Sequence, residues 1–347
     1  MGKRLAHSLT RPEWENVCAE QGAQKFRATQ IWRGLHTALA GTWDAVHGLP
    51  AELREKLGAA FDLNALELVE TTGAGTRKLL LKCRDGQLIE AVLIPAGGRN
   101  TLCVSSQAGC AFGCAFCASG AKGLARDLEA GEIVAQAVVA SRLLRAGNNA
   151  LGRPENIVVM GMGEPFANYD AVFKALRILN APDGLNIGAR HITVSTCGVV
   201  PGIERMAGEG LQIELSVSLH APDNALRTLL MPVNKRWPLE ALMPACRAYT
   251  EKTGRVITFE YTLVKGVNDQ PRHAQALAKL LRGMKCRANL IPLSPVREFS
   301  GETPPPRVCA AFLQTLGRAG VNATLRHSRG AGVDAACGQL RLRHDAV

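Results

Sequence analysis

Apolar residues change their spacing twice along this chain. Up to about residue 64 they recur at helical intervals: Phe26, Ile31, Leu35 and Leu39 in KFRATQIWRGLHTAL mark one stripe, the pattern of a short helix with one face to bury. Thr10-Arg11-Pro12-Glu13 predicts a helix start, with threonine as cap and proline in the first turn, and Pro50 opens a second helix in GLPAELREKL. From Leu66 to Pro95 the spacing drops towards two. LELVETT, RKLLLKC and QLIEAVLIP read as strands, the last two joined at the Asp85-Gly86 turn signal. Glu90 falls inside the third of these; a carboxylate there belongs either to the exposed face of a sheet or to a site. Beyond residue 96 strand-like runs at 101–105, 157–160, 191–195, 213–218, 256–262 and 287–291 alternate with helix-compatible segments. In the first of those segments Ile133, Ala137, Ala140 and Leu144 share a face.

Six such units predict an α/β fold with a parallel sheet curled as an open barrel, and they place chemistry on the loops that follow the strand C-termini. Polar and glycine residues fall at those points. They are a cysteine-bearing loop after the first strand, Gly161-Met162-Gly163-Glu164-Pro165 after the second, Ser195-Thr196 at the third, Ser218-Leu219-His220 at the fourth and Asn289 near the sixth. A proline-rich break at 303–306 precedes a helix and a last strand at 321–325. The expected organisation is a helical module over 1–64, a β connector over 65–95, the barrel over 96–320 and a closing segment over 321–347.

Composition narrows the class. With 347 residues, 47% of them apolar, the chain has ample material for a core beside a small appendage. A net charge of +11, from 41 basic and 30 acidic residues, favours a polyanionic partner such as nucleic acid. Lys25, Arg27 and Arg33 add positive charge to the helical module, whereas Phe26 and Trp32 are read as its core. No stretch approaches the ~20 apolar residues of a membrane span, and MGKRLAHSLTRPEW lacks the apolar centre of a signal peptide. The eleven cysteines form no evenly spaced framework, which fits a reducing, cytoplasmic setting better than a disulfide scaffold.

The most informative stretch is TLCVSSQAGCAFGCAFCASG. Cys110, Cys114 and Cys117 bring three thiols to one short loop. Structural zinc takes four ligands in a closed tetrahedron, and a cluster that only carries electrons takes four cysteines. A cubane held by three leaves one iron free for a small molecule. The C-x3-C-x2-C spacing resembles the signature of radical S-adenosylmethionine (SAM) enzymes, in which that iron chelates the amino acid end of S-adenosyl-L-methionine. The Gly-Met-Gly-Glu-Pro turn, one strand later, resembles the motif by which those enzymes hold the methionine ammonium.

A closer resemblance runs along essentially the whole chain. CVSSQAGCAFGCAFCASG, VVMGMGEPFANYD, TVSTCGVVPGI, SVSLHAPD, ANLIPLSP and SRGAGVDAACGQL, with KFRATQIWRGLH near the start, resemble the RlmN/Cfr family of radical SAM RNA methyltransferases, and the RlmN branch most. The resemblance implies a partial (βα)6 barrel, a helical RNA-binding accessory module, a 4Fe-4S cluster on Cys110, Cys114 and Cys117, and two SAM molecules per turnover. It implies SAM contacts from Gly163, Glu164, Ser195, Ser218, Leu219, His220 and Asn289. The cysteine matching Cys337 is methylated first; a 5′-deoxyadenosyl radical then takes hydrogen from its S-methyl group, and the carbon radical adds to an adenine ring carbon. Glu90 is implied to remove the proton from the adduct, and Cys103 to release the product by forming a disulfide with Cys337. Radical chemistry answers a real difficulty, because an electron-poor amidine carbon is no nucleophile towards a sulfonium methyl.

Further implications are 23S rRNA and tRNA as partners, carbon 2 of adenosine as target, a reductant such as flavodoxin, a monomeric state and no membrane association. Carbon-8 methylation of the Cfr type is the alternative. A zinc-stabilised RNA-binding protein and a glycyl-radical activase are the competitors from other classes. Ser294 stands where the family commonly has asparagine, and Gly113 and Ala115 make the cluster loop unusually small-sided. The remaining cysteines, Cys18, Cys83, Cys197, Cys246, Cys286 and Cys309, are assigned to packing.

Overall fold

The computed structural model describes residues 2–147, 149–326, 334, 339 and 340. Cys337 therefore lies outside the described residues. The chain opens with β1 (Arg4–Leu5), α1 (Arg11–Glu20), α2 (Arg27–His36) and α3 (Ala51–Ala60), followed by β2 (Phe61–Asp62), which pairs with β1. α1 begins as its sequence predicts: Thr10 and Glu13 form a reciprocal capping box, with Pro12 in the first turn. The stripe of α2 is displaced from expectation. The helix starts at Arg27, so its buried face is Ala28, Ile31, Trp32 and Leu35, while Phe26 stands before the first turn and is 50% exposed. Leu39 is buried, but beyond the helix, in a left-handed conformation.

Then come β3 (Leu66–Thr72), β4 (Arg77–Cys83), β5 (Leu88–Ala96) and β6 (Arg99–Cys103), an antiparallel meander. A small ribbon of β7 (Gln107–Gly109) and β8 (Leu124–Asp127) brackets the cysteine loop. The alternating part follows: α4 (Ala130–Ala146), β9 (Asn156–Val159), α5 (Tyr169–Asn180), β10 (Ile192–Thr196), α6 (Val200–Met206), β11 (Glu214–Ser218), α7 (Asn224–Leu230) and α8 (Leu239–Thr253). It ends with β12 (Ile257–Leu263), α9 (Pro271–Leu281), β13 (Cys286–Pro292), α10 (Pro306–Arg318) and β14 (Ala323–Leu325). One ten-stranded sheet results, in the order β3-β4-β5-β6-β9-β10-β11-β12-β13-β14, with β6 and β9 to β14 parallel. The connector strands thus extend the barrel sheet itself.

The two faces of this sheet are chemically opposite. Leu102, Ile157, Val194, Leu215, Val217, Phe259, Tyr261 and Leu290 point to the helices and are fully buried or nearly so. The strand register puts the alternate residues on the other face: Glu90 beside Val92, Cys103 opposite Val92, then Ser195 opposite Ser216, Ser218 opposite Glu260, and Glu260 opposite Asn289. A period of two therefore supplies an apolar exterior for helix packing and a polar interior.

The helical module is tied to the barrel through α4 and α5. Ser8 Oγ accepts from the Gly131 backbone at 2.9 Å, Arg142 and Arg145 donate to carbonyls at 37–40, and Lys174 pairs with Glu13 at 2.7 Å. Among the described residues no helix is long and apolar enough to cross a membrane.

Candidate active site

The loop after β7 is pinned at both ends and in the middle. Cys110 N–H donates to Gly123 O at 2.9 Å, Cys117 N–H to Cys114 O at 3.1 Å, and Ala115 N–H to Leu230 O, at the end of α7, at 2.9 Å. Gly109 is indispensable to the turn: it has φ +81°, and a Cβ there would stand 2.1 Å from Gly123 O. Cys110, Cys114 and Cys117 consequently line one cleft, together with groups from the ends of β9, β10, β11, β12 and β13 and with Arg326 beyond β14. Flat strands ~4.8 Å apart would separate β9 from β14 by over 20 Å, so their meeting around one cleft shows the curl of the sheet.

Burial pushes the Cys110 thiol up to about 12, and it raises Cys114 and Cys117 as well. In the protein alone these are protonated thiols, and a positively charged metal centre held here would take the place of their protons. Among the described residues no group of three or more His, Cys, Asp or Glu is placed around a single metal ion. Thiolates of a cubane sit on different irons and stand further apart than those of one zinc. Three cysteine sulfurs facing a cleft with room beside them therefore fit a cluster with an open iron better than a closed structural metal.

A serine organises the turn opposite. Ser105 Oγ donates to Glu90 O at 2.6 Å and accepts from Met162 N–H at 2.8 Å, while Gln136 of α4 pairs with both backbone groups of Ser105. Met162 O in turn accepts from the backbone of Ser106 and Gln107. Gly163 lies flush against this segment, with φ +99°; a Cβ would come within 2.5 Å of Gln107 Cβ. Gln107 Oε1 accepts from Glu164 N–H at 2.8 Å.

The Glu164 side chain is 3% exposed. Its Oε2 accepts from Cys197 N–H at 2.7 Å and its Oε1 from Phe166 N–H at 3.0 Å. Burial raises its pKa, and these two bonds, with further hydrogen bonds from the Cys197 and Thr196 side chains, oppose the rise. A buried carboxylate at the wall of the cleft suits the acceptance of an ammonium group.

His220 is the other cleft group with a defined state. Its φ of +55° is unusual for a non-glycine residue, and Nδ1 accepts from Thr262 N–H at 2.8 Å. Burial, aided by the Arg227 charge, lowers its pKa to about 3. The ring is neutral, with the proton on Nε2, and it packs edge-on against Phe116.

Of the residues expected to contact SAM, Gly163, Glu164, Ser195, Ser218 and His220 line the cleft with the three cysteines. Leu219 and Asn289 do not form its wall. Leu219 is buried and donates its N–H to Glu260 O at 3.0 Å. Asn289 donates to Glu260 Oε2 at 2.7 Å. Glu90 and Cys103 lie on the same inner face of the sheet, on β5 and β6, and Glu90 Oε1 meets Lys78 Nζ at 2.9 Å with both side chains nearly buried. The exposed-face alternative for Glu90 is thereby removed.

Four further groups escaped the sequence reading: Glu260 and Arg326 in the cleft, Cys197 at its wall, and Gln107 behind the Gly163 turn. A glutamate in the middle of the apolar run ITFEYTL was the available signal for Glu260. Cys197, assigned to packing, is a cleft residue as well as a buried one.

Comparison with known proteins follows the same lines. The Radical SAM superfamily matches residues 104–278. A protein of Geobacillus kaustophilus described as a "Probable dual-specificity RNA methyltransferase RlmN" is 50% identical over 339 residues, covering 97% of this chain and 92% of its own. One of the same description from Moorella thermoacetica is 48% identical over 336 residues, covering 95% of each. A crystal structure of a radical SAM methyltransferase from Sphaerobacter thermophilus superposes with a TM-score of 0.94 at 46% identity, covering 97% of this chain and 99% of that one.

Proposed function

The chain belongs to the RlmN family of radical SAM RNA methyltransferases, and from that premise we propose that it methylates carbon 2 of an adenosine, in the peptidyl-transferase region of 23S rRNA and in the tRNA anticodon loop. It is a SAM-dependent enzyme of the class that uses a 4Fe-4S cluster. The dual specificity named for its relatives supports two RNA substrates. The observation that carries the reading is the convergence of three thiols, the Gly163-Glu164 turn, Ser195, Ser218 and His220 on one cleft at the C-terminal ends of the parallel strands.

Cys110, Cys114 and Cys117 would hold the cluster, which when bound supplies the electron for reductive cleavage of SAM. Glu164 accepts the methionine ammonium. Neutral His220 offers Nε2–H as a donor without adding charge, and Ser195 and Ser218 offer hydroxyls. Glu90, fixed by Lys78, takes the proton from the modified adenine carbon. Cys337 carries the methyl group, and Cys103 releases the product by forming a disulfide with it. Residues 1–64 contact RNA, with Lys25, exposed Phe26 and Arg27 at one corner. A one-electron donor of the flavodoxin type serves a monomeric enzyme in the cytoplasm.

The test is methylation of a 23S rRNA fragment and of tRNA by anaerobically reconstituted protein, followed by mass spectrometry of the nucleosides. 2-Methyladenosine from both RNAs is expected; 8-methyladenosine alone overturns the carbon-2 assignment.

A further inference from the structure

Arg227, on α7, is fully buried, at 0% exposure. Its Nη2 donates to Cys197 O at 2.7 Å and Ser218 O at 3.3 Å, and its Nη1 to Asn234 Oδ1 at 2.9 Å. All these acceptors are neutral. Among the described residues no carboxylate pairs with this guanidinium, and the ionisable groups that favour its charge are thiols, those of Cys197, Cys114 and Cys246. A buried cation without an anionic partner is costly, so its presence here, on neutral acceptors only, asks for a negative charge that no described carboxylate supplies.

The position of Arg227 indicates where that charge belongs. Cys197 and Ser218, whose carbonyls it holds, line the cleft beside Cys114. The same helix docks on the cysteine loop, where Leu230 O accepts from Ala115 N–H, between Cys114 and Cys117. A 4Fe-4S core on three thiolates carries net negative charge, and one unit more when reduced. A fixed positive charge beside it, in a low-dielectric wall, stabilises the reduced form most.

We propose that Arg227 is the built-in counter-charge of the cluster and sets its reduction potential, acting through position and charge rather than by touching SAM or RNA. The inference rests on the three-cysteine cluster reading above.

The experiment is a redox titration of reconstituted protein followed by electron paramagnetic resonance, with iron and sulfide analysis of each sample. Arg227→Gln removes the charge, Arg227→Lys keeps it, and Asn234→Asp neutralises the guanidinium in place, retaining the bond from Arg227 while giving up the Nδ2 bonds to Asn224 and Thr228. Arg227→Gln and Asn234→Asp should each make reduction at least tenfold less favourable, about 59 mV more negative for a one-electron couple, and Arg227→Lys should stay near wild type. If Arg227→Gln fails to fold or load, Asn234→Asp decides alone. An unchanged potential in cluster-loaded Asn234→Asp protein, or a shift in Arg227→Lys as large as that in Arg227→Gln, overturns the proposal. Wild-type protein that takes up no iron and sulfide would instead refute the cluster reading.

Discussion

Glu164→Gln separates the proposed ammonium-binding role of this residue from its structural one. Gln has one acceptor oxygen where Glu has two. The amide therefore keeps the shorter bond from Cys197 N–H, at 2.7 Å, and turns its NH2 towards Phe166 N–H, which stood 3.0 Å from Oε1. Loss of that bond costs the fold roughly 1–3 kcal/mol. The cost to SAM is electrostatic. Opposite unit charges ~4 Å apart gain ~4 kcal/mol at an effective dielectric of 20, and the open side of the cleft reduces this to about 3 kcal/mol. Binding should weaken on the order of 100-fold.

Anaerobic titration calorimetry of reconstituted protein with SAM measures the effect, with iron content and thermal stability as controls. Glu164→Asp keeps the charge and should fall between the two. A dissociation constant within threefold of wild type, in a Glu164→Gln protein with full iron, would refute the ammonium-acceptor role.

Other expectations follow from burial and backbone geometry. Gly163→Ala should lower stability by about 2–4 kcal/mol, because a positive φ and a steric clash with Gln107 act together; Gly210→Ala, also at positive φ but with open space around it, should cost no more than ~1–2 kcal/mol. Urea denaturation compares the two. Lys78→Met should destabilise by ~3 kcal/mol in the same assay, and replacing Glu90 by Leu as well should restore much of that loss without restoring methylation. His7 is buried, with its pKa lowered to about 4, chiefly by desolvation. It is neutral when folded and takes up its proton on unfolding, so the stability it contributes is present above pH 6.5 and is lost as pH falls towards 4. His7→Gln should therefore flatten the pH dependence of unfolding by ~1.4 kcal/mol per pH unit in that window; an unchanged slope would show that His7 is protonated in the fold. Cys103→Ala should accumulate a cross-linked enzyme–RNA species on a denaturing gel, and free product at the normal rate would remove its resolving role.

The strand runs were legible because alternation is local, whereas the joining of the connector strands to the barrel sheet was not, because it depends on pairing between strands. The runs at 157–160 and 256–262 differ from β9 and β12 by one residue at each end. The loop cysteines and the Gly163-Glu164 turn were legible because each is contiguous in sequence. Phe26 was misread because helical spacing cannot say where a helix begins; with Arg27 as its first residue, the preceding side chain falls outside the stripe. Gln107, Glu260 and Arg227 share a different obstacle. Their partners, Glu164, Asn289 and Cys197, lie 57, 29 and 30 positions away, and no local pattern pairs residues across such distances. Leu219 and Asn289 show the converse: proximity to the strand ends was visible, but whether a side chain forms the cleft or supports it depends on curvature.

Because β10, β11 and β12 alternate between an apolar exterior and a polar interior, a deletion of one residue within β12 would turn Phe259 and Tyr261 inward and send Glu260 among the helices. Such a slip would exchange lining for packing along the strand at once, so a misregistered chain has no partial solution to settle into. The demands of chemistry and of strand alignment are thereby written in the same residues, and the lumen that serves the reaction also proofreads the fold.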